Sequence, residues 1–104
     1  MTPSVQRYED KEIRGRILKA LDFEFPRAMS FQMIGFALQS ARYQCSPSQI
    51  HAHLAYLEQK GYVTMEDVGL HDLDLRRNMA TLTAQGKDLV EGNVPDDPGV
   101  ILHG

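Results

Sequence analysis

Histidine and cysteine are the side chains of this sequence whose types first suggest chemistry. His51 and His53 lie two positions apart, and Cys45 is the single cysteine. On a helix, two positions turn a side chain by about 200°, so these histidines point apart and cannot hold one ion together. A site that joins Cys45 with His51 or His71 is conceivable, but nothing has the close ligand spacing of a zinc site. We therefore expect no metal, and a small turn or core residue at Cys45.

No pattern in the sequence indicates an enzyme. The chain has no glycine-rich phosphate loop, no nucleophile elbow and no paired carboxylates that we can place in a cleft. The acidic pairs Glu66–Asp67 and Asp96–Asp97 are more simply exposed charges. We expect a protein that binds a partner, with no catalytic residues and no cofactor.

The segment that follows Cys45 has the pattern of a capped helix. Ser46 suits the N-cap, Pro47 suits the first helical position, and Gln49 would complete a capping box with Ser46. Gly61 can supply the left-handed residue that ends the helix. Residues typical of a β-strand follow directly from Tyr62. The sequence therefore predicts a helix that ends at a glycine and continues at once into a strand.

This helix should have one buried face. Ile50, Leu54 and Leu57 recur at helical spacing and would point inward. At 100° per residue, the opposite face holds Ser48, Ala52, Ala55 and Gln59. The residues that flank this outer face are Gln49, His51 and Tyr56, and His53 should lie at the edge of the core.

The other predicted elements surround this helix. They are helices over Glu9–Phe23, Phe31–Arg42 and Ala84–Glu91, and strands over Tyr62–Val68 and roughly Leu75–Leu82. Ser30 can cap the second helix and Thr83 the last one. The apolar residues Leu70, Leu73 and Leu75 near the hairpin tip predict either a fold-back over the core or a helical turn.

These elements resemble a winged helix-turn-helix domain of the bacterial transcriptional-regulator type. One part of the resemblance is the capped helix followed by a strand. The other is the run Leu82-Thr-Ala-Gln-Gly-Lys-Asp-Leu89, similar to the "leucine-threonine, two residues, glycine" segment that follows the wing in many such regulators. The resemblance covers about residues 46–91. It implies a mainly α fold with a small β-hairpin: a three-helix core, a two- or three-stranded wing, a short closing helix and an extended C-terminal tail.

The chain divides accordingly into three parts. We expect an N-terminal leader over residues 1–8, a winged-helix domain over 9–92 and a C-terminal tail over 93–104. The run from Glu91 to Val100 also resembles the end of small winged-helix proteins encoded by Mu-like phages and prophages. The single cysteine and the lack of any long apolar run predict a cytoplasmic protein without a membrane segment.

The resemblance implies that the outer face of the third helix enters the major groove of DNA. Gln49 would pair with adenine, Ser48 or His51 would contact a base edge or a phosphate, and Ala52 would permit close approach. Two arginines where the wing returns would contact phosphates or the minor groove. The predicted DNA-binding residues are Ser48, Gln49, His51, Ala52, Tyr56, Arg76 and Arg77.

Charge argues partly against DNA binding. The net charge is −3 and the isoelectric point is about 5.7, a poor match to a protein that grips nucleic acid by charge alone. The family often has arginine or lysine near position 52, where this chain has Ala52, and Asp72 and Asp74 lie near the wing arginines. The alternative is a winged-helix module for protein–protein interaction with little or no DNA binding.

A homodimer is the expected assembly, because one small helix reads few base pairs and two-fold pairing doubles the contact. Met33 and Phe36 lie opposite the apolar face of the second helix, where they would pack either on their own chain or on a second subunit. The apolar tail likewise covers either its own core or a partner. The predicted interface residues are Met33, Phe36, Val100, Ile101 and Leu102.

Overall fold

In a computed structural model, the described part of the chain consists of four helices and a three-stranded antiparallel sheet. The structure describes residues 3–70 and 75–102, and it describes side chains over 5–67 and 78–102. The elements are α1 (Pro3–Glu24), β1 (Met29–Ser30), α2 (Phe31–Ser40), α3 (Pro47–Gln59), β2 (Val63–Leu70), β3 (Leu75–Leu82) and α4 (Ala84–Glu91). The sheet order is β1-β3-β2. Met29 pairs with Ala80 on one side of β3, and Val63 pairs with Leu82 on the other. The predicted order of four helices and two hairpin strands is confirmed, and the short strand β1 is an addition that was not predicted.

Helix α1 begins at Pro3 and not at Glu9, so the expectation of a loose leader over residues 1–8 is wrong from Pro3 onward. Proline is well suited to the first turn of a helix. The Nε2 atom of Gln6 donates to Oδ1 of Asp10 at 3.2 Å, one turn away. Adding residues to the end of a helix that is already packed costs little free energy. Helix α1 therefore begins before its first core residue and includes exposed positions such as Val5.

The predicted caps of α3 are both present. Ser46 Oγ accepts from the backbone N of Gln49 at 3.2 Å, and Gln49 Oε1 accepts from the backbone N of Ser46 at 2.8 Å. At the other end Gly61 has φ 83°, and Tyr62 N donates to Leu57 O at 3.0 Å. These two bonding patterns satisfy backbone groups that a helix end otherwise leaves unpaired.

The core lies between α1, α2, α3 and the sheet. The predicted inward residues Ile50, Leu54 and Leu57 are buried, as are Ile34 and Leu38 of α2. The remaining buried apolar side chains of the described part are Ile13, Ile17, Leu18, Leu21, Tyr62, Val63, Ala80, Leu82, Leu89, Val100 and Leu102. The apolar periodicity of α3 therefore identified all three of its buried residues correctly.

The leucine-threonine-x-x-glycine segment forms the joint between α4 and the base of the hairpin. Thr83 Oγ1 accepts from Gly86 N at 3.0 Å and donates to Gly61 O at 2.6 Å. Thr83 N donates to Tyr62 O at 3.0 Å. A Cβ atom on Gly86 would lie 2.2 Å from that same Tyr62 oxygen. Only glycine lets α4 approach the hairpin base this closely, which explains the glycine of the motif, while the two bonds of its hydroxyl explain the threonine.

The tail after α4 folds back over α1. Val100 and Leu102 are 7% and 8% exposed and belong to the core. Ile101 N donates to Lys11 O at 3.0 Å. A Cβ atom on Gly15 would lie 1.8 Å from Ile101 O, so the tail rests directly on the backbone of α1. The tail therefore covers its own core, which is the first of the two alternatives.

No helix in the described residues is both long enough and apolar enough to cross a membrane.

Candidate nucleic-acid interface

The first half of α3 presents four of the predicted DNA-binding residues to solvent. Ser48, Gln49, His51 and Ala52 are all exposed. The buried residue of this stretch, Ile50, holds the helix against the core. The outer face is thus accessible and is made of short or medium-sized side chains that allow a close approach to another surface.

Gln49 has a role within the helix cap. Recognition of adenine by glutamine uses both the amide oxygen, as acceptor, and the amide nitrogen, as donor. The oxygen of Gln49 already accepts from Ser46 N. Paired contact with adenine would therefore break the capping box, and with the cap intact only the amide NH₂ group is left to contact a base.

The turn before α3 contains a residue in the left-handed conformation. Arg42 has φ 68°, and its N donates to Gln39 O at 2.9 Å while Tyr43 N donates to Leu38 O at 2.9 Å. This pair of bonds ends α2 and usually places glycine at the left-handed position. Arginine at that position strains the backbone, and its side chain is exposed beside the start of α3.

Tyr56, the fifth predicted DNA-binding residue of α3, does not lie on the open part of the helix. Its ring is half-buried, and the guanidinium carbon of Arg14 lies 3.9 Å from the ring centroid. Gly99 is packed against the tyrosine hydroxyl, because a Cβ atom there would lie 2.0 Å from Oη. The sequence did not reveal this arrangement because α1 and the tail both cover this side of α3.

Arg14 joins α1, α3 and the tail. Its Nε donates to His53 Nδ1 at 3.3 Å and its Nη1 donates to Gly99 O at 3.2 Å. Burial, and then the charge of Arg14, lower the pKa of His53, while Asp10 acts in the opposite direction. The histidine is therefore neutral at pH 7 and accepts through Nδ1, which agrees with its predicted place at the edge of the core.

The described surface around the end of α3 is neutral to acidic. Lys60 Nζ lies 3.5 Å from Asp97 Oδ2, so a carboxylate already faces the cation that follows this helix. Glu58 Oε2 accepts from Met65 N at 3.1 Å, and Glu66 is exposed on β2. Any positive contact with phosphate must therefore come from elsewhere in the chain.

Arg76 and Arg77 lie in β3, where they pair with Gly69 and Val68 of β2. Their side chains lie outside the described part, so their contact with DNA stays a prediction. The predicted tip, with its alternatives of a fold-back or a helical turn, falls largely on residues 71–74, which are outside the described residues. Asp72 and Asp74, the possible partners of these two arginines, also lie outside the described residues.

The five predicted interface residues separate into two groups. Met33 and Phe36 are each 53% exposed on α2. Val100 and Leu102 are buried in their own chain, so neither is available to a second subunit, and Ile101 is half-buried.

Within the described residues, no three histidine, cysteine, aspartate or glutamate side chains come together as a possible metal site.

Sequence reasoning missed Gly15, Arg14 and Asp97 as residues that organise the site. An isolated glycine inside a helical pattern indicates close packing, so Gly15 carried a signal. Arg14 carried none, because its partner His53 lies 39 positions away. Asp97 was expected to be an exposed charge but is buried, because its partner Tyr62, 35 positions away, is packed beside it.

The same fold occurs in solved transcriptional regulators. A transcriptional regulator from Clostridium thermocellum aligns with a TM-score of 0.63 and 18% identity, over 89% of this chain and 84% of that chain. PadR of Bacillus subtilis, solved in complex with operator DNA, aligns with a TM-score of 0.59 and 24% identity, over 83% of this chain and 50% of its own. No family model and no curated protein matches the sequence. The predicted winged-helix fold is confirmed.

Proposed function

We propose that this chain is a DNA-binding transcriptional regulator. It places the exposed first half of α3 in the major groove and the β2–β3 hairpin against the neighbouring backbone. The observation that carries the proposal is the open outer face of α3 within a fold shared with transcriptional regulators, one of them solved on its operator. Helices in such folds contact base edges mainly with their N-terminal residues.

The residues assigned to contact DNA follow from the geometry of α3. Ser48, His51 and Ala52 face outward without a role in the core, and Gln49 contributes its amide NH₂ group. Arg76 and Arg77 supply charge from the wing, and Arg42 supplies charge from the turn before α3. Tyr56 holds α3 against α1 and the tail instead.

Titration of purified protein with a fluorescent random-sequence duplex, at several salt concentrations, tests this proposal. We expect binding at low salt, and a slope of log affinity against log salt that falls by roughly 2 when Arg76 and Arg77 are both changed to alanine. The matched control removes two cations that are already paired. This control combines Arg27→Ala with Lys87→Ala, since Arg27 is paired with Glu24 and Lys87 with Asp22. It should leave the slope of log affinity against log salt unchanged.

A second candidate function, a protein-interaction module, is favoured by the acidic surroundings of α3. Glu66 is exposed on β2 and Lys60 is paired with Asp97. If the protein binds no duplex at low salt, and the variant with Arg76 and Arg77 both changed to alanine behaves in the same way, DNA binding is rejected. The protein-interaction module then remains as the candidate function.

The proposal includes a homodimer, because two copies would double the contact of one short helix with DNA. Of the predicted interface residues, Met33 and Phe36 have the exposed surface that such an assembly would need. Sedimentation of the free protein measures the assembly directly. A relation to the small winged-helix proteins of Mu-like phages is also proposed, on the residues from Glu91 to Val100 alone.

A further inference from the structure

A groove with a volume of about 630 Å³ lies between α2, the turn after it and the first turns of α3. Its apolar lining consists of Phe31, Phe36, Tyr43, Cys45, Pro47 and Ile50. One of these lining residues, Phe36, is 53% exposed. At the base, a Cβ atom on Gly35 would lie 3.4 Å from Ile50 Cδ1. The absent side chain therefore leaves the groove open where α2 and α3 meet.

The described lining carries no formal charge, although 24% of the chain is charged. Three of its side chains are aromatic, and the amides of Gln32, Gln39 and Gln44 supply hydrogen bonds without charge. Burial raises the pKa of the Tyr43 hydroxyl and of the Cys45 thiol, so both remain protonated at pH 7. The lining itself would give a charged ligand no opposite charge to replace its lost hydration. The charged side chains that act on the lining are Glu12 and Arg16, of opposite sign, at Tyr43, and the acidic Glu9 and Asp10 at Cys45.

We propose that this groove binds an uncharged aromatic small molecule. The volume falls within the range of roughly 300–1,000 Å³ that is usual for small-molecule sites. Aromatic side chains with a few neutral amides are the lining that such a ligand needs. The occupant would cover Phe36 and extend to Pro47.

The position of the groove connects the ligand to α3. Ser46, which caps that helix, and Pro47, which begins it, both line the groove. A bound molecule therefore contacts the end of α3 that is most exposed. Any effect of the ligand on DNA affinity rests on the proposed function. Binding of the ligand to the groove does not rest on it, and this binding is measured without DNA.

The test uses the neutral naphthalene fluorophore prodan as a probe, with anilinonaphthalene sulfonate as its anionic counterpart. We expect saturable binding of one prodan per chain and clearly weaker binding of the sulfonate. Phe36→Ala should weaken prodan binding by at least about tenfold, the loss expected when one buried aromatic contact is removed. Phe23→Ala is the matched control, because Phe23 is an exposed aromatic residue that neither lines the groove nor belongs to the predicted dimer interface.

A second variant fills the groove without removing a contact. Gly35→Leu places a side chain in the open base and should abolish prodan binding, while thermal unfolding shows that the variant is folded. Equal effects of Phe36→Ala and Phe23→Ala would overturn the proposal, and so would equal affinity for the two probes. Dissociation of a dimer by prodan in sedimentation would also overturn it, because the groove would then hold a second copy of the chain.

Discussion

Tyr62 donates its hydroxyl to Asp97, with Oη 2.5 Å from Oδ2, and the bond joins the base of the hairpin to the tail. Gly99 N donates to the other carboxylate oxygen at 2.7 Å. Burial, and then this bond with Asp97, raise the pKa of Tyr62 to about 12. Burial alone would raise the pKa of Asp97, but the bonds from Tyr62 and Gly99 and the charge of Lys60 hold it below its usual value. The tail is therefore held by an ionised, buried carboxylate.

The protein should lose stability in acid because Asp97 must stay ionised. Its folded pKa lies below the unfolded value, so the stabilising contribution is complete above about pH 4 and is lost as pH falls below that value. Thermal unfolding from pH 7 to pH 3 measures this loss. Asp97→Asn should be less stable at pH 7 and should show a smaller further loss in acid. Equal pH slopes for the two proteins would contradict the role assigned to Asp97.

Gly15→Ala should displace the tail from α1. The new Cβ atom would meet Ile101 O, and the backbone of α1 cannot move away without disturbing the core. Loss of the burial of Val100 and Leu102, less the gain from alanine in a helix, predicts a decrease of about 2–5 kcal/mol in the free energy of unfolding. Chemical denaturation measures this change, and hydrogen exchange at Ile101 N reports release of the tail.

The matched control for Gly15→Ala is Gly35→Ala, because both glycines lie inside helices. A Cβ atom on Gly35 meets Ile50 at an ordinary contact distance of 3.4 Å. That variant should be unchanged or more stable by up to about 1 kcal/mol. If both variants lose stability equally, close packing of the tail on Gly15 is not the cause.

Arg42→Gly should stabilise the protein while weakening DNA binding. Glycine adopts the left-handed conformation at φ 68° without strain. The gain, reduced by the greater freedom of glycine in the unfolded chain, is about 0.5–1 kcal/mol. If Arg42 contacts one phosphate, the salt slope should fall by about 1. Arg42→Lys keeps both the strain and the charge and should change neither quantity. A stable variant with full DNA affinity would remove Arg42 from the interface.

Gln49→Ala should lower stability by about 0.5–1 kcal/mol, because the backbone N of Ser46 loses its acceptor. Gln49→Glu keeps that acceptor and should be as stable as the original protein in thermal unfolding. Selection of preferred duplexes from a random pool tests the second role. An altered preference at one adenine in Gln49→Ala, with no loss of stability, would show that Gln49 reads a base instead of capping α3.

Helix α3 was predictable because its signals are local. Ser46, Pro47, Gln49 and Gly61 each act on backbone groups a few positions away, and the apolar repeat needs only the helix itself. The two roles of Gln49 could not be separated from the sequence, since both use the same side chain. Only the position of its Oε1 atom shows that the cap takes the acceptor.

The surroundings of α3 were not predictable for the opposite reason. Arg14 reaches Tyr56 and His53 because the tail and α1 close around one side of the helix. The start of α1 was missed because exposed residues such as Val5 carry no apolar period, although Pro3 suits a first helical turn. These features depend on distant segments meeting, which a single sequence without aligned relatives does not reveal.

The joint at Thr83 and Gly86 also determines where the hairpin points. Strands β2 and β3 each contain eight residues, so the hairpin extends about 26 Å from the joint beside Tyr62. Each degree of tilt at that joint swings the opposite end by roughly 0.5 Å over such a length. Any tilt that a methyl group added at Gly86 imposes on the hairpin would therefore be carried along the strands to the positions of Arg76 and Arg77.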